Sequence, residues 1–218
     1  MTLRLASGVH AVQVGSDLVF LNPRQDAYFC LPLEPGAVDL AGDRLDAHLP
    51  GLADALCASG LAGPASDAAA PASGPPPVPA RTARRLIEDQ IRAIDRRPRP
   101  RHLRALAIAA LAARGGRDRA IPDLVDFDVR PAEAEPSARL LADLTVYRRL
   151  TPWLPIDGLC LFRSHMLLRY LSALGHGARW VFGVRTWPFR AHCWLQVGDV
   201  ALDDEAERLS AYAPIMAV

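Results

Sequence analysis

The sequence predicts an α+β protein in two parts: a small strand-rich module, then a larger domain with helices first and an antiparallel sheet last. Three observations carry that prediction. Residues 63–80 are crowded with Pro, Ala, Ser and Gly and end in Gly74-Pro75-Pro76-Pro77-Val78-Pro79, a composition that cannot bury a core and reads as a solvated linker. Ahead of it, apolar residues alternate or run at strand length. Behind it, they recur first at helical spacing and then at strand length. The expected division is 1–62, 63–80 and 81–218.

Composition narrows the classes. Half of the 218 residues are hydrophobic, enough for one large core or two small ones. The basic residues are all arginine, and the net charge of +1 is unevenly spread. Residues 1–79 hold three arginines against eight acids, and residues 80–218 hold the other 22 against 16. The four cysteines, Cys30, Cys57, Cys160 and Cys193, form no C-x-x-C pair. The first eight residues lack a charged region followed by an apolar run, so no signal peptide is expected. No apolar stretch reaches the ~18 residues of a membrane span. A cytoplasmic setting with reduced thiols follows as the expectation.

Within 1–62, Val9 to Val14 and Asp17 to Leu21 read as strands. Asn22-Pro23-Arg24-Gln25-Asp26 supplies turn chemistry, and Ala27-Tyr28-Phe29-Cys30-Leu31 returns as a partner strand. Two short helices are expected after Pro35-Gly36, at Leu45 to Leu49 and Gly51 to Ser59. Strands and small helices in so short a module give a winged-helix-like layout. Its helical half carries Arg44 against Asp39, Asp43, Asp46 and Asp54, the wrong charge for neutralising DNA phosphates. Capture of an extended peptide at the sheet edge suits it better, and a cap on the second domain is the plainer role.

The second part opens with helices, at Arg84 to Asp95, Arg101 to Arg114 and Ser137 to Arg149, the first two separated by Pro98 and Pro100. Twelve arginines against four acids lie between Arg81 and Arg119. No aromatic residue interleaves with them, as single-strand binding would require, so they read as a solvated face.

The chemistry lies further on. A helix is expected from Leu159 to Leu174, with Cys160, Ser164, Leu167, Leu171 and Leu174 on one face. Cys160 sits in its first turn, where the helix dipole and free backbone N–H groups favour a thiolate and can hold an oxyanion. His165 is about 140° round the helix from Cys160 and is a poor base for it. His176, in Gly175-His176-Gly177, reads as a surface residue. Arg179 to Arg185, Ala191 to Val197 and Val200 to Asp204 read as three strands, the last two joined at Gly198-Asp199. They bring His192 and an acid at 203 or 204 together beside the thiol, the order needed for nucleophile, base and orienting acid. Strand alternation turns Cys193 away from the face of His192. No further Cys or His stands at metal-ligand spacing, and no phosphate-binding G-x-x-x-x-G-K-[ST] occurs.

Cys160-Leu161-Phe162-Arg163-Ser164, then Ala191-His192-Cys193-Trp194-Leu195-Gln196-Val197, then Val200-Ala201-Leu202-Asp203-Asp204, together resemble the lasso-peptide maturation proteases. These are the transglutaminase-like B proteins of lasso-peptide biosynthesis. The resemblance covers 81–218 and implies a papain-like α+β fold without a cofactor, in which Cys160 is the nucleophile, His192 the base and Asp204 the orienting acid. The family motif commonly reads Asn-Asp where this chain has Asp203-Asp204, so Asp203 stays an alternative. Position 193 is often small in the family, and Cys193 has no assigned role. The oxyanion-donating glutamine of other transglutaminase-like enzymes has no counterpart here before Cys160, so that role falls to backbone N–H groups.

Residues 1–62 are similar to the family's PqqD-like winged helix-turn-helix, which recognises the leader of a ribosomally made precursor. Here Ala27, Tyr28, Phe29, Cys30 and Leu31, with Leu52 and Leu56 nearby, would hold it. The implied partners are that precursor and a separate asparagine-synthetase-like, ATP-dependent cyclase, with no nucleic acid and no membrane. A transglutaminase-like acyl transferase using the same triad, and a non-catalytic peptide carrier, are the alternatives.

Overall fold

A computed structural model describes residues 1–65, 74–90, 94–116, 119–125, 127, 130–153 and 160–218. The expected start at Leu159 of the helix that carries Cys160, residues 91–93 of the expected Arg84–Asp95 helix, and linker residues 66–73 lie outside them.

Residues 1–64 form β1 (Thr2–Leu5), β2 (His10–Val14), β3 (Asp17–Asn22), β4 (Ala27–Leu31), β5 (Val38–Ala41), β6 (Arg44–Ala47), α1 (Leu52–Ala58) and β7 (Ala62–Pro64). They make a three-stranded sheet, β2-β3-β4, and a four-stranded one, β5-β6-β1-β7. The expected hairpin is present, with Asn22 paired to Ala27, and Val14 pairs Asp17 across Gly15-Ser16 in a second one. The expected helix at Leu45 to Leu49 is instead strand β6. Ala41 pairs Arg44 across Gly42-Asp43, a two-residue turn with Gly42 at φ +64 that suits a hairpin. Leu45 and Ala47 then alternate inward. With one helix in place of a pair, residues 1–64 do not form a winged helix-turn-helix.

β3 is buried on both faces. Leu18 and Phe20 point into a small core with Leu3, Leu45, Leu52 and Leu56, whereas Val19 and Leu21 join the large core of the second part. Burying Val19 and Leu21 stabilises this contact by about 1.5–3 kcal/mol each. The Trp187 indole N–H also crosses over to donate to Asp17 Oδ2 at 2.7 Å. The two parts therefore pack directly against one another.

The second part runs β8 (Arg81–Thr82), α2 (Ala83–Asp89), α3 (Pro100–Gly115), α4 (Ile121–Leu124), α5 (Ala138–Leu150), a 3₁₀ turn (Thr151–Trp153), α6 (Cys160–Ala173), β9 (Arg179–Arg185), β10 (Arg190–Val197), β11 (Val200–Ala201), α7 (Ala206–Leu209) and β12 (Ala213–Ala217). Its sheet has the order β12-β9-β10-β11-β8. Helix starts are set locally: Pro100 opens α3, and the Ser137 hydroxyl accepts the Leu140 N–H at 3.2 Å as the cap of α5. α6 lies on β10 with α3 and α5 alongside. The opposite sheet face buries Val181, Trp194, Ala201 and Leu209 with Tyr212. Gly183 is required there, since a Cβ would lie 2.7 Å from the Trp194 ring.

The expected solvated linker is ordered where it is described. Pro76 and Pro79 are buried, Val78 packs on the cluster around Trp194, and the Gln196 side-chain N–H donates to Pro77 O at 3.2 Å. β8 then closes the sheet by pairing in parallel with β11, and Arg81 pairs with Asp199 and Glu135. A chain without apolar periodicity can still dock when its prolines match an existing surface.

Candidate active site

Cys160 occupies the first residue of α6, where the opening N–H groups have no partner within the helix. The helix is anchored by the apolar face predicted for it, with Leu167 and Leu171 in the large core. Ser164, one turn along, donates to Asp203 Oδ2 at 2.6 Å and lies 3.4 Å from Cys193 O. These bonds tie the start of α6 to β10 and to the chain after β11.

Strand β10 brings two consecutive residues to the thiol. The Cys193 thiol, the His192 ring and the Cys193 backbone N–H all act on the Cys160 sulfur, and the three side chains line one cavity. The Cys193 thiol is the largest influence and burial opposes it. Together with the His192 charge these contacts hold the Cys160 pKa down at about 4. His192 donates from Nε2 to Asp204 Oδ2 at 2.6 Å, which leaves Nδ1 for the sulfur. Asp204 and Cys160 push His192 up to about 9 against the effect of burial. Burial alone would raise Asp204, but His192, the Glu205 N–H and Arg208 outweigh it and hold the carboxylate below its usual range. Between pH 4 and 9 the resting site is thus a thiolate beside an imidazolium, with Asp204 ionised behind it.

The alternative acid does different work. Asp203 accepts the Leu195 N–H at 2.8 Å on Oδ1 and the Ser164 hydroxyl on Oδ2, and burial pushes its pKa up. The strand expected to reach Asp204 stops at Ala201. The bend that follows turns the two neighbouring carboxylates in different directions, Asp203 toward α6 and Asp204 toward His192.

The other histidines set aside from the sequence also have their places. His165 is buried against the Trp180 ring, 5.8 Å between centroids, and burial lowers its pKa to about 4. His176 is buried, contrary to the surface position expected for it, and bonds Asp143 Oδ2 at 2.8 Å. Cys193 does point away from the face of His192, as alternation requires, but the face it points to is the one under Cys160. Alternation gives the direction of a side chain, and only the packing of α6 on β10 decides what that face meets.

A cavity of about 310 Å³ opens over Cys160, His192, Cys193, Asp204, Arg163 and Arg208. A second, of about 330 Å³, lies between α5, the 3₁₀ turn and α6 and shares Arg163 and Asp203 with the first. Among the described residues no group of three His, Cys, Asp or Glu side chains could hold a metal ion, and no helix is long and apolar enough to cross a membrane.

The residues expected to bind a peptide divide. Ala27, Tyr28, Phe29, Cys30 and Leu31 form β4, an edge strand paired only with β3 among the described residues, with the Phe29 side chain exposed. Tyr28 packs on Phe189 in the β9–β10 turn, 5.9 Å between rings. Burial, then the Cys193 thiol, Asp26 and the Cys160 thiol, raise its hydroxyl far above its usual range. β4 therefore runs beside the site. Leu52 and Leu56 are 8 % and 2 % exposed and belong to the small core, so they hold α1 in place and offer no peptide a contact.

Comparison with curated proteins and with solved structures finds no match. Comparison with protein families matches residues 102–217, from α3 through the whole β9–β12 sheet and including every residue of the thiol site. That match spans more than half of the chain, which belongs to the transglutaminase-like superfamily.

Proposed function

We propose that the chain is a cysteine peptidase that removes the leader from a ribosomally made lasso-peptide precursor. One observation carries the chemistry: a thiol at a helix start lines one cavity with a histidine whose ring is bonded to a carboxylate. In this reading the Cys160 sulfur attacks the carbonyl at the leader–core junction, and the N–H groups opening α6 receive the oxyanion. His192 gives its proton to the leaving amine while Asp204 keeps the ring oriented. Water, with His192 now acting as base, releases the acyl group.

The choice of substrate rests on the resemblance of the three quoted segments to the lasso B proteins, and on β4. Its open edge supports adding the leader as a strand, and its Tyr28 packs on Phe189 in the turn that leads into β10. The freed core amine would pass to a separate ATP-dependent cyclase.

The test is incubation of the chain with short peptides encoded near its gene, read by mass spectrometry. Cleavage at one site, lost in Cys160→Ala with peptide binding retained, is the expected result. Cleavage unchanged in that variant contradicts it. A product joined to an added amine, with little hydrolysis, identifies an acyl transferase instead.

A further inference from the structure

Cys193 has no part in peptide cleavage as described, yet it is the nearest thiol to Cys160. It is 4 % exposed, held by β10 with its side chain on the face that α6 covers. Both residues line the same small cavity, Cys160 packs against the core cluster that holds Cys193, and each thiol acts strongly on the other. The backbone between them is fixed on both sides. The Ser164 hydroxyl lies 3.4 Å from Cys193 O, and the Leu195 N–H is bound to Asp203. A second thiol on the wall of the same cavity as a reactive one is the arrangement that resolves a sulfenic acid.

We infer that Cys160 and Cys193 form a redox pair, in which oxidation of Cys160 by a peroxide closes a reversible Cys160–Cys193 disulfide and silences the site. In the first step the Cys160 thiolate attacks one peroxide oxygen. The O–O bond breaks, Cys160 becomes a sulfenic acid, and hydrogen peroxide leaves its other oxygen as water after taking up a proton. In the second, the Cys193 sulfur attacks the sulfenic sulfur. The S–S bond forms, the S–O bond breaks, and the departing hydroxide leaves as water with the Cys193 proton. Two thiols are oxidised by two electrons, and one peroxide is reduced to two waters.

The chain's own charges favour this order. Cys160 is the more accessible thiol, half-buried on the cavity wall, and reacts first, whereas the Cys160 sulfur, then burial, keeps Cys193 protonated. Forming the neutral sulfenic acid removes the negative charge that held the Cys193 proton. Closure brings the two sulfurs, which already share one cavity, to the ~2.05 Å of a disulfide. The pair also gives Cys160 an exit from the irreversible sulfinic and sulfonic acids. It holds whether the site cleaves or transfers acyl groups, because it depends only on the two sulfurs.

The experiment is brief treatment of the native full chain with hydrogen peroxide, followed by alkylation and peptide mass mapping. The expected product has lost two hydrogens, contains a peptide linking Cys160 to Cys193, and leaves Cys30 and Cys57 alkylated. Alkylation at Cys160 falls on the order of tenfold and returns with dithiothreitol. In Cys193→Ala and Cys193→Ser, the same dose should give sulfinic acid at Cys160 that dithiothreitol does not restore. Oxygen addition at Cys160 of the native chain without the linked peptide overturns the inference. So does protection of Cys160 in the Cys193 variants equal to that in the native chain. The native-chain result decides even if both variants fail to fold.

Discussion

Two histidine–carboxylate groups sit toward opposite ends of α6, and only one of them shares a cavity with a thiol. Asp143 on α5 is 1 % exposed and takes His102 at 3.0 Å, His176 at 2.8 Å and Arg101 at 2.6 Å. His102 spends its other nitrogen accepting the Arg99 N–H at 2.9 Å, so its ring is a neutral tautomer with both positions occupied. His192 has the same carboxylate contact, but its second nitrogen faces a thiol and a cavity. The residue types are the same. What separates a structural cluster from a reactive one is whether the ring nitrogen opposite the acid meets a backbone group or a nucleophile that substrate can reach.

Substitutions can break that comparison. Cys160→Ala should have the largest effect, a loss on the order of 10⁵-fold in turnover or more, with the fold unchanged by circular dichroism. Asp204→Ala leaves Cys160 and His192 in place but frees the ring. Turnover should fall on the order of 10²–10⁴-fold, and the Cys160 reactivity profile should move to higher pH. Asp143→Ala strands two histidines and an arginine and should lower stability by about 3 kcal/mol in denaturant unfolding, without changing Cys160 alkylation. A drop in Cys160 reactivity in folded Asp143→Ala would show that the two groups are coupled after all.

The pH dependence of the buried cluster has a definite sign. The partners of Asp143, His176 and His102 first among them, overcome burial and hold it below its usual range. Its contribution is therefore complete above about pH 4 and is lost as the pH falls through the folded value. Asp203→Asn should be the mildest change. Burial already raises the Asp203 pKa, and an amide keeps one acceptor for Leu195 N–H or Ser164, so turnover should stay within about tenfold. A loss equal to that of Asp204→Ala would make Asp203 the orienting acid.

The transglutaminase-like part of the fold was legible because its periodicities are strong. The α6 face, the β9–β10 alternation and the Gly198-Asp199 turn are local signals, and together they place Cys160 against His192. The choice between Asp203 and Asp204 was not legible locally, since a one-residue step in a bend decides it. Leu45 to Leu49 misled because Leu and Ala favour helices intrinsically, while pairing of β6 with β1 and β5 overrides propensity. His176 looked exposed between two glycines. Gly177 instead lets the Arg130-Pro131 backbone approach so closely that a Cβ would meet Pro131 O at 2.2 Å, and this covers the ring. The partnership of Cys193 with Cys160, and of Tyr28 with the site across the two parts, are tertiary facts with no sequence period to announce them.

The pH profile of Cys160 alkylation by iodoacetamide, followed at that residue by peptide mapping, tests the central claim most directly. A preformed thiolate–imidazolium pair predicts half-maximal reactivity near pH 4, displaced upward toward the ordinary thiol range in His192→Ala. Half-maximal reactivity near pH 9 in the native chain, unchanged by His192→Ala, would contradict it.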